Sequence, residues 1–153
     1  MEYITAFTPL GMVYICQHGE TITALGFGIQ PAAAGIERQT PLLQEAHAQL
    51  DAYFAGKQRN FDLPLCPAGT PFQKEVWQQL QKIPFGATIT YEELAERVGC
   101  PRGARAVGSA CGKNPIAILI PCHRVVGKDG RLTGFAWGLE RKKFLLQLEK
   151  SLT

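Results

Sequence analysis

A thiol, an imidazole and a guanidinium stand side by side in Ile118-Leu-Ile-Pro-Cys-His-Arg-Val-Val126, directly after an apolar run. A free cysteine titrates near ~8.5, so little of it is thiolate at neutral pH unless a cationic or hydrogen-bonding neighbour favours the anion. His123 and Arg124 are the adjacent groups able to do that, which points to Cys122 as a nucleophile. The alternative is a small buried hydrophobe beside a solvated arginine. Pro121 ends the apolar run and forces a turn, so the thiol is presented at the end of the run.

The chain has 153 residues, room for one medium domain or two very small ones and for a core that needs no staples. No apolar run is long enough to span a bilayer and no basic-then-apolar leader is present, so a cytoplasmic chain with no membrane contact is expected. Five cysteines at scattered positions, with no Cys-x-x-Cys pair, fit a reducing compartment better than a disulfide framework. Cys16, His18, His47 and Cys66 lack recognisable zinc-ligand spacing, and no metal is expected. Residues 1–70 carry three basic side chains (Arg38, Lys57, Arg59) against six acidic ones, whereas residues 71–153 carry thirteen against seven. The positive half is the half with the reactive motif, which suits a polyanion partner or a well-solvated surface.

The elements that must position these groups differ between the halves. Tyr3–Phe7, Met12–Cys16 and Thr21–Phe27 alternate like short strands, and Thr40-Pro41 then opens a helix whose inner face is Leu43, Ala46, Leu50 and Tyr53 or Phe54, ended by Gly56. Residues 63–70, rich in Pro and Gly, read as a linker. Thr70-Pro71-Phe72-Gln73 is a capping box for a helix with a stripe of Phe72, Val76, Leu80 and Ile83, and Thr90 with Glu93 caps a second helix whose inner face is Leu94, Ala95 and Val98. After a turn at Cys100-Pro101, Arg102 to Lys113 reads as another helix, giving a helix-turn-helix pattern. That last helix is smooth: Gly103, Ala104, Ala106, Gly108, Ser109, Ala110 and Gly112 are all small, and a glycine costs about 1 kcal/mol in a helix interior. Either it packs closely within the protein, or it approaches a nucleic acid with Arg102, Arg105 and Lys113 meeting phosphates or bases. The expected fold class is α+β, a small α/β domain over 1–66 and a mainly helical domain over 67–153.

Tyr91, Arg105-Ala-Val-Gly-Ser-Ala, Asn114-Pro115, Ile120-Pro-Cys-His-Arg-Val-Val and Leu132-Thr-Gly-Phe-Ala-Trp-Gly-Leu139, with a basic helix ending at Glu149, resemble the O6-alkylguanine-DNA alkyltransferase family over residues 70–150. The resemblance implies a ribonuclease-H-like N-terminal domain and a winged-helix-like helix-turn-helix in the C-terminal one. It implies irreversible, stoichiometric transfer of an alkyl group from guanine O6, less readily thymine O4, to Cys122, by a monomer acting on double-stranded DNA without cofactor. His123 is the implied base through a water, oriented by Glu149; Tyr91 donates a proton to guanine and Asn114 braces the active-site loop. Arg105 is the implied intercalating side chain, with the helix in the minor groove and the target base flipped out. Val125, Phe135, Ala136, Trp137 and Ala117 are the implied pocket wall. Ala136 stands where some relatives have serine and Ala117 where others have proline, while the Trp137 indole implies a narrow slot that favours methyl and ethyl over benzyl. Two other readings stay open: a lesion sensor, which lacks an acceptor cysteine, and a Cys-His hydrolase with turnover.

Overall fold

Alternation of buried and open positions builds the first sheet. In the computed structural model, which describes residues 1–32 and 34–153, Ile4, Ala6 and Thr8 of β1 (Glu2–Thr8) and Val13 and Ile15 of β2 (Gly11–His18) turn inward. β3 (Thr21–Phe27) pairs antiparallel with β2, and the short β4 (Ile36–Glu37) runs parallel to β1, giving the order β3-β2-β1-β4. Gly26 faces Tyr14 across the ladder, and any Cβ there would lie 2.1 Å from the phenolic oxygen, so only glycine admits that ring. Helix α1 (Pro41–Phe54) starts at Thr40, whose hydroxyl accepts from the Leu43 amide at 3.1 Å, and buries Leu43, Ala46, Leu50 and Tyr53. Phe54 stays half-exposed.

Residues 63–70 are more than a linker. Ile22 donates to Pro64 O and accepts from Cys66 N, both at 2.8 Å, so this stretch runs as a parallel bridge along β3. The prolines prevent a long strand but leave enough donors for one bridge. Residues 115–117 do the same beside Leu25, with Leu25 N to Pro115 O and Ala117 N to Leu25 O at 3.0 Å. Residues 1–68 with 115–119 form one compact unit, and residues 69–114 with 120–153 form the other.

In the second unit both capping boxes form. Thr70 and Gln73 open α2 (Pro71–Leu80), and Thr90 and Glu93 open α3 (Tyr91–Arg97). The inner face of α2 is Val76, Trp77 and Leu80; Phe72, expected on that stripe, lies outward with 38% exposure, because the first turn of α2 projects into solvent. Val98 is likewise only half-buried, as the C-cap of α3 rather than part of its inner face. Gly103 N donates to Cys100 O at 2.8 Å, closing a turn that keeps Arg102 out of the helix, so α4 spans Ala104–Gly112. A 3-10 turn at Cys122–Arg124 leads into β6 (Val125–Val126), which pairs parallel with β5 (Ile89–Thr90), and α5 (Leu139–Ser151) completes the unit. Among the described residues no helix is long and apolar enough to cross a membrane.

The buried Trp77 indole donates to Ala110 O at 2.9 Å, tying α2 to α4. Trp77→Phe removes that donor and part of the buried ring, so urea denaturation should show a loss of about 1–3 kcal/mol. An unchanged midpoint would mean that the indole contributes neither bond nor packing.

Candidate active site

The turn expected at Pro121 has a defined form. Cys122 N donates to Ile120 O at 2.8 Å across Pro121, whose φ of −82° and ψ of 64° are those of an inverse γ-turn. The same carbonyl accepts Asn114 Nδ2 at 2.8 Å. On the other side Val125 pairs with Ile89 in the small parallel ladder. Cys122 is thus held between a braced turn and a short strand, its sulfur near the end of α4.

Behind the thiol lies a buried charge network. His123 Nε2 lies 2.7 Å from Glu149 Oε2, and Arg124 grips the same carboxylate with Nε to Oε1 at 2.8 Å and Nη2 to Oε2 at 3.0 Å. Arg124 Nη1 donates to Ile83 O at 2.7 Å, its guanidinium lies 5.8 Å from the Phe85 ring centre, and Gly86 N donates to Glu149 Oε1 at 3.3 Å. Burial alone would raise the Glu149 carboxyl, but hydrogen bonds from His123 and Arg124, and their charges, hold it well below the usual range. Burial also lowers the His123 imidazole, against the pull of Glu149, which leaves it neutral. An ionised carboxylate only accepts, so Nε2 carries the proton and Nδ1 keeps its lone pair. Nδ1 has no hydrogen-bond partner among the described residues.

This corrects one expectation. Arg124 is neither solvated nor the group that favours the thiolate, because its donors are committed to Glu149 and Ile83. The basic group near the thiol is Lys142, fully buried on α5, with Nζ 2.8 Å from Thr133 O, 3.2 Å from Gly134 O and 3.5 Å from the Tyr91 hydroxyl; burial lowers its ammonium, and a thiolate at Cys122 would raise it again. Burial pushes the Cys122 thiol up, while a hydrogen bond with Asn114 and the charge of Lys142 work the other way. Lys142 escaped the reading of the sequence, although its spacing from Leu145 and Glu149 puts it on the one buried stripe of α5.

A cavity of about 100 Å³ beside Cys122 is lined by Tyr91, Gly108, Cys111, Gly112, Gly134 and Phe135. Of the five expected wall positions, Phe135 lines it. Val125 is fully buried in the β5-β6 ladder, Ala136 is exposed, Trp137 is half-buried with its carbonyl accepting from Arg141, and Ala117 pairs with Leu25 in the first unit. Tyr91 donates to Thr133 O at 3.1 Å, and burial raises its phenol, so it stays protonated at neutral pH. Along α4, Val107, Ala110 and Cys111 face inward and Arg105, Ala106 and Ser109 outward, with Ala104 and Gly108 half-exposed and Arg102 and Lys113 exposed on either side. The four residues weighed as zinc ligands do not converge: Cys16 is buried in β2 and His47 pairs with Asp51 at 3.3 Å.

The network fixes the sign of the acid response. Glu149, lowered on folding, contributes stability that is fully present above its ordinary 4.5 and is lost as pH falls toward its folded value. His123, also lowered, opposes folding once pH drops below its ordinary 6.5, since the unfolded chain binds that proton more readily. Glu149→Gln leaves Arg124 buried without its counter-charge and should cost about 3–5 kcal/mol at pH 7. Chemical denaturation at pH 7, 5.5 and 4 should show the gap between the two proteins narrowing below 4.5; a constant gap would mean that Glu149 is not ionised in the fold.

Family models match both units: 6-O-methylguanine DNA methyltransferase, ribonuclease-like domain, over residues 1–67, and 6-O-methylguanine DNA methyltransferase, DNA binding domain, over residues 71–151. The methylated-DNA--protein-cysteine methyltransferase of Methanosarcina barkeri is 47% identical across 99% of this chain and 98% of its own length. That of Mycobacterium tuberculosis is 45% identical across 99% and 93%. Among solved structures, Mycobacterium tuberculosis OGT in complex with DNA superposes with a TM-score of 0.93 at 44% identity, covering 99% of this chain and 94% of that one. The O6-methylguanine DNA methyltransferase of Methanococcus jannaschii gives 0.70 at 28%, covering 95% and 92%. With both halves matched in order and nearly the whole length aligned, the chain belongs to the 6-O-methylguanine DNA methyltransferase family.

Proposed function

We propose that this chain repairs DNA by direct reversal, moving the alkyl group of an O6-alkylguanine onto Cys122 in a single irreversible turnover. The observation that carries the reading is a thiol at a cavity, backed by a neutral His123 whose Nε2 is tied to an ionised Glu149 and whose Nδ1 remains free to take a proton. The Cys122 proton passes to His123, through a water where the two do not meet directly, and Glu149 stabilises the imidazolium that results. The thiolate attacks the alkyl carbon in line; the S–C bond forms, the C–O6 bond breaks and its electron pair stays on the guanine. Tyr91, held protonated, is placed to donate as that charge develops, exchanging Thr133 O for the base. Lys142 keeps positive charge close to the thiolate and pins the 133–134 backbone. The thioether product has no good leaving group, so the protein is consumed.

The reading assigns residues 67–153 to DNA binding and alkyl acceptance and residues 1–66 to the N-terminal domain. Double-stranded DNA is the partner, with the outward face of α4 in the minor groove and Arg105 entering the stack as the damaged base flips out. Residues 71–153 carry the excess of positive charge that such a partner needs. Val125, Ala136 and Trp137 are proposed, with Phe135, to wall the pocket that takes the alkylated base. The reading places the chain in the cytoplasm, where it meets DNA as a monomer.

Intact mass after mixing with duplex carrying O6-methylguanine should rise by one methyl, with peptide mapping placing it on Cys122 and Cys122→Ser binding the lesion without accepting it. Continued product release beyond one equivalent would support a hydrolase instead, and methyl on Cys111 or Cys100 would overturn the acceptor. Arg105→Ala should slow transfer from duplex at least tenfold more than transfer from a flexible single strand, since a lesion already unstacked needs no intercalating side chain. Equal losses on the two substrates would make Arg105 a phosphate contact.

A further inference from the structure

The cavity at Cys122 holds a second thiol. Cys111, on the inner face of α4, lines the same space, and both cysteines are 7% exposed. Asn114 joins their backbones: its N donates to Cys111 O at 3.2 Å, and its side chain donates to Ile120 O, two residues before Cys122. A charge on Cys122 would push the Cys111 thiol up further, and Lys142 acts on both. The remaining cysteines are placed differently, Cys16 and Cys66 in the first unit and Cys100 exposed in the turn before α4.

We propose that Cys111 and Cys122 form a paired-thiol modification site, which a small hydroperoxide entering the cavity closes into a disulfide that reversibly removes the acceptor. The space is well above the ~10–15 Å³ that a cavity needs to hold one water, enough for hydrogen peroxide. The Cys122 sulfur, deprotonated by His123, attacks one peroxide oxygen to give a sulfenic acid and water. The Cys111 thiol then displaces that hydroxyl as a second water, so two thiols and one peroxide yield one disulfide and two waters. Cys111 is a poor first nucleophile, because burial pushes its thiol up to about 12, so its part is to resolve the sulfenic acid before further oxidation. The loss of repair rests on the reading of Cys122 as acceptor; the disulfide itself does not.

The full chain is treated with hydrogen peroxide, then followed by intact mass, peptide mapping and methyl transfer before and after a thiol reductant. The expected result is the loss of two hydrogens, a Cys111–Cys122 cross-linked peptide, and a fall in transfer of at least tenfold that the reductant restores. In Cys111→Ser, and in Cys111→Ala as a second variant, Cys122 should instead gain oxygen atoms, and the reductant should restore much less of each variant's own starting activity. Oxygen on Cys122 with Cys111 unmodified in the native chain, or disulfides only through Cys66 or Cys100, overturns the proposal. A cross-link that leaves transfer intact upholds the thiol pair and overturns Cys122 as acceptor.

Discussion

Everything around the thiol depends on one buried carboxylate. Glu149 accepts from His123 Nε2, from two nitrogens of Arg124 and from Gly86 N, so a charge that would cost several kcal/mol to bury alone is fully met. The donors come from the 3-10 turn that carries Cys122 and from the loop after α2. The acceptor comes from the last turns of α5. Two of the three buried side chains of α5, Lys142 and Glu149, are ionisable, whereas α2 docks through Val76, Trp77 and Leu80. Helix α5 is therefore seated largely by polar contacts, and the contacts that seat it also orient the imidazole. Stability and chemistry cannot be tuned separately here.

The thiol is poised against opposing effects. Burial holds it protonated, while Asn114 and Lys142 favour the anion without overcoming burial. A resting thiol of this kind is protected from casual alkylation, which would suit the single-acceptor role proposed for it. Deprotonation then depends on a base, and in the proposed reading that base is the neutral His123, whose free Nδ1 would take the proton while the ionised Glu149 stabilises the imidazolium.

The sequence was most legible where a local rule acts alone. Thr40, Thr70 and Thr90 each cap the helix expected of them, because a cap needs only the next three residues. The three long strands likewise follow from period-two alternation. Non-local pairing was harder to read: nothing within residues 63–70 reveals that Ile22 supplies two backbone hydrogen bonds to them, and Pro115 and Ala117 read as loop until Leu25 meets them. At the site, the pairing of His123 with Glu149 was legible through the motif and the family resemblance. Arg124 and Lys142 were misjudged or missed because a buried cation looks like a solvated one until its acceptors, carbonyls and a carboxylate far along the chain, are in view.

The smoothness of α4 had two explanations in the sequence, close packing inside the protein or approach by a ligand, and packing accounts for Gly103, where a Cβ would lie 2.6 Å from Cys100 Sγ, but not for Gly108 or Gly112. A Cβ at Gly108 would stand 3.6 Å from the Tyr91 ring, an ordinary contact, and one at Gly112 would meet nothing within 4 Å. Neither glycine is demanded by internal packing, and neither has a positive φ, yet each forgoes about 1 kcal/mol of helix stability relative to alanine. Both line the cavity at Cys122, where an added methyl would take space from about 100 Å³. The outward residues nearby, Ala106 and Ser109, are small where nothing in the chain covers them. A helix that stays thin on its cavity side and on its open side leaves room on both, and the proposed reading would put an extruded base on the first and the groove it left on the second.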